Sequence, residues 1–150
     1  MSIFPVCLLV CLLLVQVVAP ETIEESEQRF QEFVRQHIIE AMEPSECTTV
    51  MADKNITKQV RTKDRTKAND TKGPKKTNTF IIANENEVKA ICQGHTKPKK
   101  IRSNKTFDVV VCELTNEGRY EGRRKDYQIL EVGCANNLPV HLYDQIKRKG

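Results

Sequence analysis

The chain has 150 residues, of which 39% are apolar and 29% charged, and 24 Lys and Arg against 20 Asp and Glu give a formal net charge of +4. With five Phe, three Tyr and no Trp, it has little material for a large apolar core, and its length suits one domain or two at most. These values exclude a large multidomain enzyme, a coiled coil and a multispan membrane protein.

The N-terminal segment is apolar and uncharged. Between Val6 and Val18 only Gln16 is polar, and this run of about a dozen residues ends at the small residue Ala19, as in secretory signal peptides. A membrane anchor is the alternative, but crossing a bilayer takes about 20 apolar residues. We predict a signal peptide over residues 1–19, with its cleavage point open by a few residues, and one secreted, extracellular domain over residues 20–150.

Loss of the signal peptide would remove Cys7 and Cys11 and leave an even number of cysteines: Cys47, Cys92, Cys112 and Cys134. In an oxidising compartment these predict two disulfides, and their spacing leaves three pairings open. Zinc is the alternative, but no two of them form a Cys-x-x-Cys motif, so we predict no metal site. Three Asn-x-Thr sequons fit the same compartment as candidate glycosylation sites: Asn55, Asn69 and Asn104.

Charge divides the predicted domain, with a net −6 over residues 21–46 and +10 over residues 47–150. In the acidic part, side chains suited to one buried stripe recur at helical spacing: Phe30, Phe33, Val34, His37, Ile38 and Ala41. Because Pro44 forbids continuation, we predict a helix from about Glu24 to Met42 and a second short helix from near Ser45. Residues 52–76 hold nine Lys and Arg and almost no large apolar groups, which predicts a long basic loop.

The second half of the chain reads as strands with one helix between them. A strand over residues 77–83 precedes a capping box, with Asn84 three residues before Glu87, and a short helix that ends at Gly94. Alternating apolar residues predict further strands over 106–114, about 127–134 and 139–143, joined by turns at 116–118 and 136–137. Helices followed mostly by antiparallel strands indicate an α+β fold.

Two of the three histidines lie in apolar surroundings, His37 on the predicted helix stripe and His141 on the last predicted strand. A buried structural histidine is the ordinary interpretation of each. Together with a lysine, however, two histidines suit phosphodiester cleavage. One imidazole removes a proton, the other protonates the leaving oxygen, and an ammonium stabilises charge on the phosphate. That chemistry needs no metal and no cofactor.

Four segments occur in an order that indicates a family: Phe33-Val34-Arg35-Gln36-His37, Lys75-Lys76-Thr77-Asn78-Thr79-Phe80, Val88-Lys89-Ala90-Ile91-Cys92 and Pro139-Val140-His141. From about Phe30 to Asp144 the chain resembles the pancreatic-type ribonucleases, which are secreted vertebrate enzymes. The resemblance implies short N-terminal helices packed on a bent antiparallel sheet. It also implies the disulfides Cys47–Cys112 and Cys92–Cys134.

The resemblance implies a catalytic role for three residues. His37 would take the proton of the ribose 2′-hydroxyl, His141 would protonate the departing 5′-oxygen, and Lys75 would stabilise the transition state. The implied activity is that of a metal-independent endoribonuclease. It would cleave RNA on the 3′ side of pyrimidines by transphosphorylation to a 2′,3′-cyclic phosphate.

Four further residues fall at substrate-binding positions of the same family. Gln36 would help hold the phosphate, Asn78 would support the site, and Thr79 would select a pyrimidine base. Leu142 stands where the family often has Phe.

The chain departs from the family near the lysine. Pro74 replaces a cysteine that usually precedes Lys75, and no cysteine occurs at residues 118–120, where its partner would fall. One bridge is therefore missing at both ends, which leaves the lysine loop less constrained. The absence of another family pair, between Cys92 and Cys112, favours the angiogenin-like branch.

A second departure follows the last histidine. The family places an Asp two residues after it, but here Tyr143 holds that place and Asp144 comes one residue later. On a regular strand this shift points the carboxylate to the opposite face from His141, unless a bulge restores it.

The basic body favours polyanionic partners, RNA first. Its clusters over residues 97–102 and 123–125 equally suit heparan sulfate, a cell-surface receptor or anionic microbial membranes. The alternative function is therefore a cationic, angiogenin-like signalling or host-defence (antimicrobial) protein with weak or no catalysis. We predict a monomeric glycoprotein in either case.

Overall fold

The computed structural model describes residues 22–60 and 71–149. The predicted signal peptide, the sequon at Asn69 and the middle of the predicted basic loop lie outside these ranges. No helix within them is long and apolar enough to cross a membrane.

The first helix, α1, spans Ile23–His37 and is capped by a reciprocal pair of hydrogen bonds between Thr22 and Glu25. It ends at His37 rather than near Met42, so the predicted length is wrong. The reason is tertiary, because the two following residues form a short strand, β1 (Ile38–Ile39), which pairs in parallel with Ile81 and Ile82. Branched isoleucine side chains suit this extended backbone better than a helix.

A 3-10 turn over Pro44–Glu46 leads into the second helix, α2 (Cys47–Asp53), near the predicted start. The predicted loop over 52–76 is wrong at both ends, since β2 (Thr57–Val60) and β3 (Thr71–Pro74) form a two-stranded antiparallel ribbon. Backbone pairing satisfies donors and acceptors without needing apolar side chains, and the composition of the segment gave no sign of it.

Five strands form the main sheet, in the order β1-β4-β5-β6-β7. After β4 (Thr77–Ile82) the predicted capping box opens the short helix α3 (Glu85–Lys89), which continues as a 3-10 turn to Cys92. Three long antiparallel strands follow: β5 (Lys99–Leu114), β6 (Tyr120–Ala135) and β7 (Leu138–Lys147). They exceed their predicted lengths because pairing with a neighbour also recruits polar and charged residues.

Apolar residues are buried on both faces of the sheet. Val109 and Val111 pack in the cluster that includes Phe33 of α1, whereas Val110 packs in the cluster of α2, as alternation along a strand requires. Each cluster contains one disulfide, Cys92–Cys134 in the first and Cys47–Cys112 in the second. The pairing is the one that the resemblance implied. The α+β class is confirmed, and β1 is the one parallel neighbour in an otherwise antiparallel sheet.

Candidate active site

Helix α1 and strand β7 enclose a cleft of about 180 Å³ that both predicted histidines line. His37 is the last residue of α1, and His141 lies in the first half of β7. The other lining residues come from the same two elements: Arg29, Glu32, Phe33, Gln36 and Val140. Two imidazoles more than a hundred positions apart in the sequence therefore share one opening to solvent.

The His37 imidazole has a defined tautomer. Its Nδ1 lies 2.8 Å from the carbonyl oxygen of Thr79, and because a carbonyl only accepts, Nδ1 carries the hydrogen and Nε2 the free lone pair. Burial lowers the pKa of His37 to about 4, an effect that the nearby Lys75 and His141 reinforce and that the Thr79 hydrogen bond opposes. At neutral pH the ring is therefore uncharged and able to accept a proton at Nε2.

The Lys75 ammonium is held beside the end of α1. It donates to Oδ1 of Asn78 over 2.9 Å and to Oε1 of Gln36 over 3.4 Å. Asn78 is 2% exposed and completes the network by donating from Nδ2 to the Gln36 carbonyl over 2.8 Å. Burial lowers the pKa of the Lys75 ammonium. By contrast Lys72 and Lys76 are exposed, so Lys75 is the lysine of this run that the fold turns inward.

The backbone at Lys75 accepts a separate hydrogen bond. The Tyr120 hydroxyl donates to the Lys75 carbonyl over 2.5 Å, and Tyr120, Gly118 and Pro74 line one cavity of about 310 Å³. This is the region where the family bridge is missing. A hydrogen bond thus joins two segments that a disulfide usually joins.

Gln36, predicted to hold the phosphate, is engaged at both ends of its amide. Besides accepting from Lys75, it donates from Nε2 to Oε1 of Glu32 over 2.7 Å. Glu32 is also paired with the guanidinium of Arg35, whose hydrogen bond is the main cause that lowers the pKa of Glu32 to about 2. A phosphate would therefore meet a Gln36 amide that is already oriented by a carboxylate.

The hydroxyl of Thr79, predicted to select the base, already has a hydrogen-bond partner on the C-terminal strand. Its hydroxyl donates to Oε1 of Gln145 over 3.2 Å. Sequence reasoning missed Gln145 because it predicted that the last strand ends at residue 143. Because of a bulge in this strand, Gln145 lies opposite Leu130 whereas His141 lies opposite Gly133. Gln145 is therefore on the other face of the strand from His141, and alternation along the sequence would not have found it.

Strand β7 is irregular around His141. Glu131 pairs with Asp144 and Val132 with Leu142, so Tyr143 is the extra residue of a β-bulge, and a second bulge occurs at Val140. A bulge was the condition under which Asp144 could contact His141, but Asp144 instead accepts from the Gln145 backbone N–H over 2.8 Å. Within residues 22–60 and 71–149, Asp144 makes no hydrogen bond to His141.

The His141 ring contacts an aromatic residue instead. It meets Tyr143 in a T-shaped arrangement, with centroids 4.4 Å apart and an interplanar angle of 71°. Burial is the main cause that lowers the pKa of His141, and the positive charges of Arg29 and Lys75 add to it. Arg29, like Glu32, was missed by sequence reasoning. Its position two helical turns before His37 would have signalled it.

The remaining predicted residues lie away from the cleft. Leu142 is half-buried and packs against the main core cluster, and the sequon residues Asn55 and Asn104 are exposed. Among the residues that the structure describes, no three His, Cys, Asp or Glu side chains come together in a group that could hold a metal ion.

Known proteins match this chain in sequence and in fold. The pancreatic ribonuclease family matches residues 28–143. Ribonuclease-like 3 of Danio rerio is 31% identical over 127 residues, 78% of each chain, and angiogenin of Chlorocebus aethiops is 28% identical over 141 residues, 86% of each. The X-ray structure of zebrafish RNase5 superposes with a TM-score of 0.63 at 28% identity, covering 82% of this chain and 98% of that one. The chain therefore belongs to the pancreatic ribonuclease family, in its angiogenin-like branch.

Proposed function

We propose that this protein is a secreted, metal-independent endoribonuclease that cleaves RNA on the 3′ side of pyrimidines. The observation that carries the proposal is one cleft lined by two imidazoles, one of which is half-buried and neutral with a free Nε2. Membership of the pancreatic ribonuclease family supports ribonuclease activity at the level of the family. The two histidines supply an acid and a base, which is what transphosphorylation needs.

The reaction follows from the positions of these groups. Nε2 of His37 takes the proton of the ribose 2′-hydroxyl as its oxygen attacks phosphorus. The bond from phosphorus to the 5′-oxygen breaks, and His141 in its protonated form gives that oxygen a proton. The products are a 2′,3′-cyclic phosphate and a free 5′-hydroxyl. DNA has no 2′-hydroxyl and cannot react in this way.

Lys75 contributes charge rather than a proton. Its ammonium, anchored on Asn78 and Gln36, is preorganised to stabilise the negative charge that builds on the phosphoryl oxygens. The chain's own groups thus account for every proton and charge in the step. No metal ion is required by this mechanism.

Pyrimidine selection would depend on Thr79. A hydroxyl that both donates and accepts suits the hydrogen-bonding edge of either pyrimidine. Because Gln145 occupies this hydroxyl, the C-terminal strand has to release it before a base can bind, and we expect slow cleavage for that reason.

The test is cleavage of a pyrimidine-purine dinucleotide in the presence of EDTA. We expect His37→Ala and His141→Ala each to lower kcat by about 10²–10⁴-fold, the usual contribution of a general acid or base. His95→Ala is the matched control because it removes the third histidine, which does not line the cleft, and we expect it to keep full activity. Equal activity of wild type and His37→Ala, or loss of activity in EDTA, would contradict the proposal.

Secretion, removal of residues 1–19 and glycosylation belong to the same proposal. The exposed positions of Asn55 and Asn104 are accessible to a transferase. Mass spectrometry of the monomer secreted by eukaryotic cells, before and after glycosidase treatment, would test all three together.

We also propose a second function, binding to anionic cell surfaces. Arg123 and Lys125 are exposed and, in the described part of the chain, form no ion pair, whereas Arg124 between them is paired with Asp108 and Asp126. Free cations favour polyanions such as heparan sulfate or anionic microbial lipid. We expect the double variant Arg123→Gln/Lys125→Gln to elute earlier from heparin and to keep its dinucleotide cleavage. Unchanged elution would contradict this function.

A further inference from the structure

The contact between His141 and Tyr143 supports an inference that rests on the proposed function. We propose that Tyr143 is the positioning residue of His141. Its aromatic ring, rather than a carboxylate, holds the imidazole of the general acid in place at the cleft.

The geometry of the pair is that of a favourable aromatic contact. Edge-to-face rings with centroids about 4.5–7 Å apart attract each other because the positive edge of one meets the negative face of the other. The His141 and Tyr143 rings, 4.4 Å apart and inclined by 71°, lie just below that range of distances and are therefore in close contact. Tyr143 can reach His141 because it follows that residue by two positions, and alternation along a strand directs both side chains to one face. The bulge at Tyr143 changes the register only of the residues that come after it.

The nearest carboxylate, that of Asp144, does not hold the His141 ring. Asp144 pairs with Glu131 across the sheet and accepts from the Gln145 backbone N–H. Within the described ranges it makes no hydrogen bond to His141. The ring contact is thus the specific interaction that the structure gives the His141 side chain.

Tyr143 is itself supported from the neighbouring strands. Nζ of Lys100 lies 4.9 Å from the centroid of the Tyr143 ring, and the same ammonium is 3.3 Å from a carboxylate oxygen of Glu131. Glu131 is also bonded to Arg102 over 2.8 Å. A cation over an aromatic face stabilises the position of the ring. Tyr143 therefore lies between His141 and a fixed cation.

A glycine makes room for this arrangement. A Cβ added to Gly133 would lie 3.0 Å from Cε2 of Tyr143 and 3.3 Å from Cβ of His141. Contacts this short would push the ring outward by a few tenths of an ångström. Gly133 is thus the position on β6 that permits Tyr143 and His141 to pack against the sheet together.

A ring and a carboxylate differ in what they do to an imidazole. Both restrict its orientation, but a carboxylate adds a hydrogen bond and a negative charge, which stabilise the protonated ring. A neutral aromatic ring restricts the orientation of the imidazole without adding a hydrogen bond or a full charge. We therefore expect Tyr143 to affect the rate of the chemical step through positioning, and to have little effect on substrate binding.

The experiment compares Tyr143→Leu with Tyr143→Phe. We expect the leucine variant to lower kcat on a dinucleotide by about tenfold at a KM within about twofold, because imprecise positioning costs rate. The phenylalanine variant retains the ring and should stay within about twofold of wild type in both. Tyr127→Leu is the matched control, since Tyr127 is a second exposed tyrosine, 72% against 53% for Tyr143, and, in the described part of the chain, its ring does not contact His141.

A spectroscopic readout separates this proposal from the proposed function. The ring current of an adjacent aromatic residue shifts the imidazole C–H resonances of His141, and we expect this shift in wild type and in Tyr143→Phe, with loss in Tyr143→Leu. Unchanged resonances in Tyr143→Leu would overturn the positioning role even in an enzyme that cleaves RNA. Conversely, an inactive wild type that shows the shift would overturn the proposed function and leave the contact established.

Two further variants keep the proposal falsifiable if Tyr143→Leu does not fold. Gly133→Ala should displace the ring and lower kcat by a few fold, with a smaller ring-current shift. Asp144→Asn should leave kcat unchanged. A fall in kcat for Asp144→Asn, together with full activity of Gly133→Ala, would assign the positioning role to the carboxylate and overturn the proposal.

Discussion

His37 and His141 line one cleft but are held in different ways. His37 ends a helix, donates to a backbone carbonyl and adjoins a buried network in which Asn78 uses both ends of its amide. His141 lies on an exposed stretch of β7 between two bulges and contacts one exposed tyrosine. The comparison shows that the His37 side of the cleft, the base side in the proposed reaction, adjoins the folded core, whereas the His141 side, the proposed acid side, has an exposed tyrosine as its ring contact.

This difference predicts how each side responds to mutation. Removing a buried polar group leaves its partners unsatisfied, so damage on the base side should lower activity and stability together. Removing an exposed aromatic ring leaves the core intact, so damage on the acid side should lower activity alone.

After the two histidine substitutions themselves, the largest effect is expected at the Lys75 ammonium on the His37 side. We expect Lys75→Ala to lower kcat by about 10²–10³-fold, the usual result of removing a preorganised group that stabilises transition-state charge. Lys76→Ala is the matched control, because Lys76 is the next residue and its side chain is exposed. Equal losses in the two variants, measured by initial rates on a dinucleotide, would show that net charge rather than position matters.

The pH dependence tests both sides at once. His37 must be neutral, and its pKa is lowered to about 4, whereas His141 must be protonated, and its pKa is lowered from 6.5. Since kcat/KM reports the free enzyme, its maximum should lie between pH 4 and 6.5 and fall about tenfold for each pH unit above that window. A maximum above pH 7 would contradict the lowered pKa values of His37 and His141.

A comparison of substitutions at the buried Asn78 and the exposed Tyr143 should distinguish the two sides of the cleft most directly. We expect Asn78→Ala to lower kcat by about tenfold and the free energy of unfolding by about 1–3 kcal/mol, because the Gln36 carbonyl and Lys75 ammonium lose a buried partner. Tyr143→Leu should lower kcat to a similar extent with little change in stability. Urea unfolding of both variants beside the rate assay would reveal this contrast, and equal destabilisation would remove it.

Removal of the hydrogen bond between Thr79 and Gln145 should raise activity. We expect Gln145→Ala to increase kcat/KM on a pyrimidine dinucleotide several-fold, because the Thr79 hydroxyl no longer donates to the C-terminal strand. The increase should disappear in the double variant with Thr79→Ala. A Gln145→Ala enzyme no faster than wild type would mean that this hydrogen bond does not limit base binding.

The smallest effect is expected for the hydrogen bond from Tyr120 to the Lys75 carbonyl, which joins the two segments that a disulfide usually joins in this family. Tyr120→Phe removes the hydroxyl that donates to the Lys75 carbonyl and should cost about 0.5–1.5 kcal/mol of stability. We expect a loss of less than about fivefold in kcat, since Asn78 still anchors the ammonium. Tyr127→Phe, at an exposed hydroxyl, serves as the control in the same unfolding and rate measurements.

Local signals in the sequence were sufficient where one segment decides its own structure. The capping box of Asn84 and Glu87 was predicted and is confirmed, because its donors and acceptors lie within three residues. The end of α1 was predicted wrongly, because Ile38 and Ile39 leave the helix to pair with a strand more than forty positions away. No periodicity within the first segment carries that information.

The residues of the candidate site also divide into those that the sequence predicted and those that only the fold revealed. His37, Lys75 and His141 were predicted from a combination of family motifs, and Glu32, Arg29, Gln145 and the contact with Tyr143 emerged only from the fold. A bulge was considered as a way to return Asp144 to His141, and a bulge forms, but Tyr143, two residues after His141, makes the contact. A bulge changes which side chain reaches a given point, and strand register across β6 and β7 decides that.

Residue types and short spacings by themselves determined the class of fold and the cysteine inventory, and the resemblance of four motifs to a family predicted His37, His141 and Lys75 as base, acid and cation. Tertiary structure alone decided the protonation of His37, the occupation of Thr79 by Gln145 and the neighbour of His141. The physical reason is that burial, charge and sheet register join residues far apart in the chain, and these interactions exist only after the chain has folded.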